Sequence, residues 1–425
     1  MSRPTTGRLP TIFILLTVVI DSMGIGLIIP VMPSLLLEVG GGTLANAALW
    51  GGVLTTTFAV MQFLCGPTVG NLSDRFGRRP ILLISLFVMA LDYLVMAVAG
   101  SIWLLLIARA VGGITAATHS TALAYMADTS TRENRASGFG LVSAAFGLGF
   151  VLGPVIGGLL ADMGTRAPFY AAAALAGANF IFGFLILPET VTDAIRRPFS
   201  WARANPFGAI AHIRALPGLM ALLIVMLLLQ MSSNVYPVIW AYYTQAQFNW
   251  SPAMIGVSLA TFGISMAVVQ GGLIRLAIAR LGEFYTVIAG FGFSLIALPV
   301  LAFITNGTFA LIFTPVAALA AMSGPALQAI MSQRTPENAQ GELQGILTSV
   351  SALAMILAPL IMTAVFAAAT RPDGPIFLPG APFLAAACLS VAALALFWAS
   401  RPDPSKPDPS KPVPSKDASH ETPRS

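Results

Sequence analysis

Three ionisable side chains, Asp21, Asp92 and Arg109, stand inside long apolar stretches of this 425-residue chain. An ionised group in such surroundings is costly and is generally there for function. Burial favours the neutral form of a carboxyl, and a neighbouring guanidinium favours the ionised form. A site that alternates between those environments takes up a proton in one and gives it up in the other. Proton binding and release is therefore the chemistry that Asp21, Asp92 and Arg109 offer. A purely structural alternative stays open, in which either aspartate neutralises Arg109 and fixes the packing.

The elements that must hold these groups follow from composition. The chain is 56% hydrophobic and 9% charged, against about a quarter charged in a soluble domain, so it lacks the polar surface to coat a water-soluble globule. Its apolar runs reach the length of about 18 residues or more that a helix needs to cross a hydrocarbon core about 30 Å thick. They are continuous rather than alternating, which fits helices and not barrel strands. Cutting at charged, Pro-rich and Gly-rich breaks predicts twelve spans, at 11–36, 48–69, 80–99, 101–126, 137–160 and 167–187, then 217–245, 252–276, 285–304, 308–332, 343–368 and 380–399. Asp21 then lies about 15 Å along the first span at the helical rise per residue. Asp92 falls in the third span and Arg109 in the fourth.

The positions of the basic residues set the orientation. Of 22 Lys and Arg, Arg109 lies within a span and only Arg166 and Arg371 fall on one side, leaving nineteen on the other. Cytoplasmic loops carry that excess, so both termini are expected in the cytoplasm. The formal charge of +5 is thereby spent on topology, and no nucleic acid partner is expected. Cys65 and Cys388 lie far apart inside apolar runs and read as packing residues rather than a disulfide. His119 and His212 have no ligand spacing, so no metal site is expected. Catalytic clusters, sizeable extramembrane domains and a phosphate-cradling loop are all missing from the string, which argues against an enzyme or an ATP-driven pump.

The longest internal polar stretch, 188–216, carries Arg196, Arg197, Arg203 and Arg214 beside Trp201 and Phe207 and reads as an interfacial linker. It separates a six-span bundle at 1–187 from a second at 217–400. The tail, 401–425, is proline-rich and expected to be disordered. The halves look duplicated: Gly153-Pro154 and Ala358-Pro359 are 205 positions apart, as are Gly140 and Gly345, or Gly77 and Gly282.

Two motifs carry conformational chemistry. The first runs Gly70-Asn-Leu-Ser-Asp74-Arg75-Phe-Gly77-Arg78-Arg79-Pro80, in the short loop between spans two and three. Small Gly70 lets helices approach, and Asp74 can stay near a helix end and pair with an arginine or a helix N-terminus. Such a cluster can act as a latch that is broken and remade as the molecule changes shape. A simple topology anchor would account for Arg78 and Arg79 but not for Asp74 or the glycines. Asp128, at the end of span four, is a candidate partner for this loop. The second motif is Gly149-x-x-x-Gly153-Pro154-x-x-Gly157-Gly158 in span five, a smooth face for close helix packing with a proline kink.

The loop string resembles the signature G-x-L-a-D-r-x-G-r-r of the major facilitator superfamily, and the span-five string resembles the pattern that family associates with antiporters. Leu105-x-x-x-Arg109-x-x-x-Gly113 is similar to its fourth-span motif, linked there to proton transfer. The resemblance implies an all-α membrane protein of twelve transmembrane helices in two pseudo-symmetric six-helix bundles around a central cavity. Asp21-Ser-Met-Gly-Ile-Gly-Leu-Ile-Ile-Pro-Val-Met-Pro33, Leu91-Asp92-Tyr93, Gly324-Pro-Ala-Leu-Gln328, Phe248-Asn-Trp250 and Gly341-x-Leu-Gln344-Gly345 narrow it further. They look like the tetracycline efflux proteins of Gram-negative bacteria, over roughly residues 10 to 400. In that family the aspartates matching Asp21, Asp92 and Asp74 are functional.

The resemblance implies proton-coupled efflux of a tetracycline-like or other amphipathic drug across the bacterial inner membrane by alternating access. The alternative on the same fold is transport of another small metabolite, such as a sugar, amino acid or siderophore. The chain departs from the family at Ser294, where Gly290-Phe291-Gly-Phe-Ser294 replaces a G-F-x-x-D run. That removes one carboxylate expected to meet a magnesium chelate of tetracycline. Gln62, Asn234 and Gln270 are the candidate polar groups for the cargo, each also capable of an ordinary interhelical hydrogen bond. No cofactor is expected beyond the proton itself and a substrate-borne Mg2+ if the cargo is tetracycline. The lipid bilayer, drug and protons are the expected partners, with the chain working as a monomer.

Overall fold

The computed structural model describes residues 8–131, 134–193, 196–201, 204–206, 208, 219–374 and 376–401. The expected tail, and much of the expected linker, lie outside these residues. Apolar runs this long can satisfy their backbone polar groups only within helices, and eleven helical stretches are long and apolar enough to cross a membrane. One of them, Pro252–Phe303, is 52 residues long and turns back at Gly282, whose φ of 74° only glycine adopts easily. It therefore makes two crossings and brings the total to twelve.

We label α1 Pro10–Gly40, α2 Leu44–Phe76, α3 Arg78–Val98, α4 Ile102–Thr129, α5 Ser137–Met163, α6 Ala167–Ile186 and α7 Met220–Phe248. The two arms of Pro252–Phe303, 252–281 and 283–303, are α8 and α9. Gly307–Gln333, Glu337–Ala369 and Ala381–Ala399 are α10, α11 and α12. The loops that carry most of the arginines, including those after α2 and α4, share one face of the bundle, here called the basic face.

Several crossings are interrupted where chemistry is later found. Proline at 154, 299, 315 and 359 removes a backbone donor inside α5, α9, α10 and α11. In α1 a 3-10 turn spans Ile29–Val31 around Pro30. In α4 the helix stops at Thr115 and restarts at Thr118, between Gly112-Gly113 and the polar run Thr118-His119-Ser120-Thr121. In α8 a π-turn covers Val269–Leu273.

Glycines decide how the crossings pack. Gly149, Gly153 and Gly157 of α5 lie against the α1 backbone at Val19, Met23 and Leu27, so closely that any Cβ on them would strike main-chain atoms. The same helix meets the other half: Gly158 abuts Pro252 and Ala253, and Gly256 of α8 abuts Pro154. On the other side of the molecule, Gly52 of α2 abuts Thr363 of α11, and the Thr56 hydroxyl donates to the Ile356 carbonyl at 3.1 Å. All these contacts between halves lie in the part of the membrane remote from the basic face. Toward the basic face, Gly66, Gly140, Gly271 and Gly341 on the same four helices have open space where a Cβ would be. The close contacts between the two halves thus gather on the far face.

Candidate functional site

The first charged group is a buried pair. α3 turns Asp92 inward, 3% exposed, and α4 turns Arg109 toward it, 9% exposed; the two form an ion pair. The guanidinium also lies over the Phe58 ring of α2, 5.2 Å from its centroid, a cation–π contact in a dry setting. Gly112, one turn on from Arg109, makes the space, since a Cβ there would come within 3.1 Å of the Asp92 carboxylate.

Asp21 stands apart from that pair. It lies beside the Thr118 hydroxyl of α4 and close to Tyr93 of α3. The Thr118 hydroxyl is its hydrogen-bonding neighbour, and among the described residues no cation pairs with it. Thr118 opens the second segment of α4, where the free N–H groups of a helix first turn favour negative charge nearby. Gln62 of α2 holds this break, its side-chain amide donating to the Ala116 carbonyl at 3.3 Å. Gln62 is therefore tied to the break in α4 and is not part of the cavity wall described next.

The cavity has a volume of about 410 Å³ and sits mainly among α7, α8, α9 and α10, within the range that holds a drug-sized molecule. Asn234 and Gln270 both line it, and so does Pro154 of the span-five motif. Gln270 belongs to the π-turn, a local unwinding that recurs at functional sites. Ser294 also lines it. Tyr236 forms part of the wall and stacks on Phe262 with ring centroids 5.0 Å apart and planes 23° apart.

At the basic face the loop motif forms a knot of charges. Arg78 donates to Asp74 Oδ1 at 2.5 Å and to Asp128 Oδ2 at 3.1 Å, joining α2, α3 and α4. Gly77 turns the chain with φ 119°, and the freed backbone N–H groups of Arg78 and Arg79 donate to the Glu189 carboxylate at 2.9 and 3.2 Å. Arg79 Nη2 reaches the Phe184 carbonyl at 2.7 Å, and Arg75 lies over Phe76. Gly70 has open space around it. Glu189, just after α6, was not among the residues singled out from sequence, although an acid in Pro188-Glu189-Thr190 next to a run of arginines is the kind of signal that points to it.

Comparison with known proteins accounts for this arrangement. The model of the Major Facilitator Superfamily matches residues 14–359 and, in a second match, 222–422. The chain belongs to the Major Facilitator Superfamily. Within the superfamily it groups with the tetracycline resistance proteins. It is 42% identical over 360 residues to the class C protein of Escherichia coli, covering 84% of this chain and 89% of that one. It is 38% identical over 363 residues to the class G protein of Vibrio anguillarum, covering 85% and 91%. Among solved structures, the nucleoside transporter NupG superposes with a TM-score of 0.75 at 12% identity, covering 92% of this chain and 98% of that one. That likeness is one of fold, and it agrees with the twelve crossings found here.

Proposed function

We propose that this superfamily member exports a tetracycline-like amphipathic drug in exchange for protons. In this reading it sits in a bacterial inner membrane with its basic face and both termini in the cytoplasm. The observation that carries the reading is the unequal state of the two membrane carboxyls. Asp92 is held by Arg109, whereas Asp21 lies at a broken helix beside the Thr118 hydroxyl and, among the described residues, has no cation paired with it. Asp21 is thus the group free to take and release the coupling proton. Close packing of the halves on the far face fits a cytoplasm-open state, in which drug enters the cavity from the cytoplasm.

Closure of the basic face and parting of the far face would then expose the cargo outward. The Arg78 knot joins α2, α3, α4 and the end of α6, all in the first half, and biases that exchange if it is broken and remade as this half changes shape. The glycine face of α5 serves both packing within its half and the hinge against α8. Transport requires no cofactor beyond the coupling proton and no protein partner.

The test is transport by inverted membrane vesicles with an imposed pH gradient, acid inside. Tetracycline uptake that collapses when the gradient is dissipated is the expected result. Comparison with a fluoroquinolone and a cationic dye sets the breadth. Uptake of tetracycline indifferent to the gradient would overturn the reading.

A further inference from the structure

α2 is the helix on which the contact between the halves and the membrane charges meet. Toward the other half it presents Gly52, which abuts Thr363 of α11, and Thr56, whose hydroxyl donates to the Ile356 carbonyl. Toward α4 it presents Phe58, Met61 and Gln62. The Phe58 ring lies over the Arg109 guanidinium. The Phe58 carbonyl and Met61 press on Gly113, where a Cβ would strike both. Gln62 holds the Ala116 carbonyl. Gly52 and Gln62 are ten positions apart, about 15 Å along the helix. The helix is unbroken from Leu44 to Phe76, and its internal proline, Pro67, lies beyond both. A shift of this segment against α11 is therefore carried as a rigid body to α4.

The receiving end is the break in α4. Ala116, with ψ 70°, and Ala117, with φ −119° and ψ 4°, leave helical geometry. The helical ladder resumes only at the Ala117 carbonyl, which accepts from the Thr121 N–H at 2.9 Å. The Ala116 carbonyl relies instead on the Gln62 amide, and a buried carbonyl without a donor is costly. A link of two non-helical residues lets the segment that starts at Thr118 move relative to the segment that carries Arg109. Thr118 is the hydrogen-bonding neighbour of Asp21. One amide on α2 thus grips a hinge whose far arm faces Asp21.

We propose that Gln62 is a positioning residue that ties the movement of the two halves to the proton site. As α2 shifts against α11, the Gln62 amide draws the break in α4 with it and so moves Thr118 relative to Asp21. This rests on the export reading above. Gln62 stands outside the cavity wall and does not hold the cargo. Cargo binding and alternation of the halves do not need its hydrogen bond, whereas linking each alternation to a proton does.

The test separates coupling from alternation. Gln62→Met keeps the length of the side chain and removes its donor. Two rates are measured in proteoliposomes with equal amounts of inserted protein: tetracycline uptake driven by a pH gradient, and counterflow of labelled against unlabelled tetracycline at equal pH on both faces. The expected result is a fall in pH-driven uptake of at least about fivefold, roughly the factor one hydrogen bond contributes, with counterflow within about twofold of wild type and its KM unchanged. Gln62→Asn, one methylene shorter, should behave in the same way and replaces the methionine variant should that variant not insert.

A fall in both rates together would make Gln62 a support of the fold alone, and a raised KM for counterflow would make it a contact of the cargo. Either result overturns the proposal, as does pH-driven uptake at the wild-type rate in both variants. Wild-type protein that performs counterflow but no pH-driven uptake would overturn the export reading, and the proposal with it.

Discussion

The Asp92–Arg109 pair makes the sharpest energetic prediction. Both groups are buried, at 3% and 9% exposed, and the guanidinium has a second contact with Phe58. Removing one partner of such a pair leaves an uncompensated charge and costs about 3–5 kcal/mol, whereas replacing both partners together is often close to neutral. Asp92 can shed its charge by taking up a proton, so Arg109→Met should fall toward the lower end of that range. Asp92→Asn leaves a guanidinium that cannot do so, and should fall toward the upper end. The double variant should recover much of the loss, giving a coupling energy of about 2 kcal/mol or more. Unfolding of the detergent-purified proteins by SDS titration measures each corner of the cycle. Single variants whose effects add to within about 0.5 kcal/mol would show that the two groups do not act as a pair, and the geometry argued here would be refuted.

Other parts of the structure make predictions of the same kind. Gly157→Ala drives a methyl group into the Leu27 backbone and should cost about 1–3 kcal/mol by overpacking, with a matching fall in vesicle transport. Gly140→Ala, where space is open, should be neutral or slightly stabilising because alanine is the better helix former. Glu189→Ala removes the acceptor for two N–H groups at the start of α3 and should destabilise by about 1 kcal/mol, as loss of a helix cap does. A Gly52→Cys/Thr363→Cys pair, made with Cys65 and Cys388 replaced by Ser, should cross-link on oxidation and arrest transport reversibly. Failure to cross-link would contradict a far face closed by α2 and α11.

Much of the architecture was legible in the string because lipid leaves the backbone few choices. Apolar length together with the charged, Pro-rich and Gly-rich breaks marks the twelve crossings, and the glycine spacing of α5 marks a helix that packs closely. The pairing of Asp92 with Arg109 was left open in sequence, since three buried charges allow more than one partnership. Only the facing of α3 and α4 decides it. The break in α4 is only partly legible: Gly112-Gly113 and Thr118-His119-Ser120-Thr121 flank it, but the side chain that holds it, Gln62, comes from another helix. The π-turn at Gln270 and the Tyr236–Phe262 stack, which is assembled from α7 and α8, were not legible. Local composition encodes the spans, while the site is made by tertiary contacts between them. The Glu189 cap is intermediate: its residue type and position were visible, but its partners, the first N–H groups of α3, depend on the turn at Gly77.

The central claim is that Asp21 carries the coupling proton while Asp92 is held in an ion pair. In energised inverted vesicles a pH-sensitive dye reports protons leaving the lumen when drug is added outside. Wild type should show a proton efflux in step with drug uptake, and Asp21→Asn, present in the membrane at the wild-type amount, should show neither. Proton efflux and drug uptake at wild-type rates in Asp21→Asn would contradict the account.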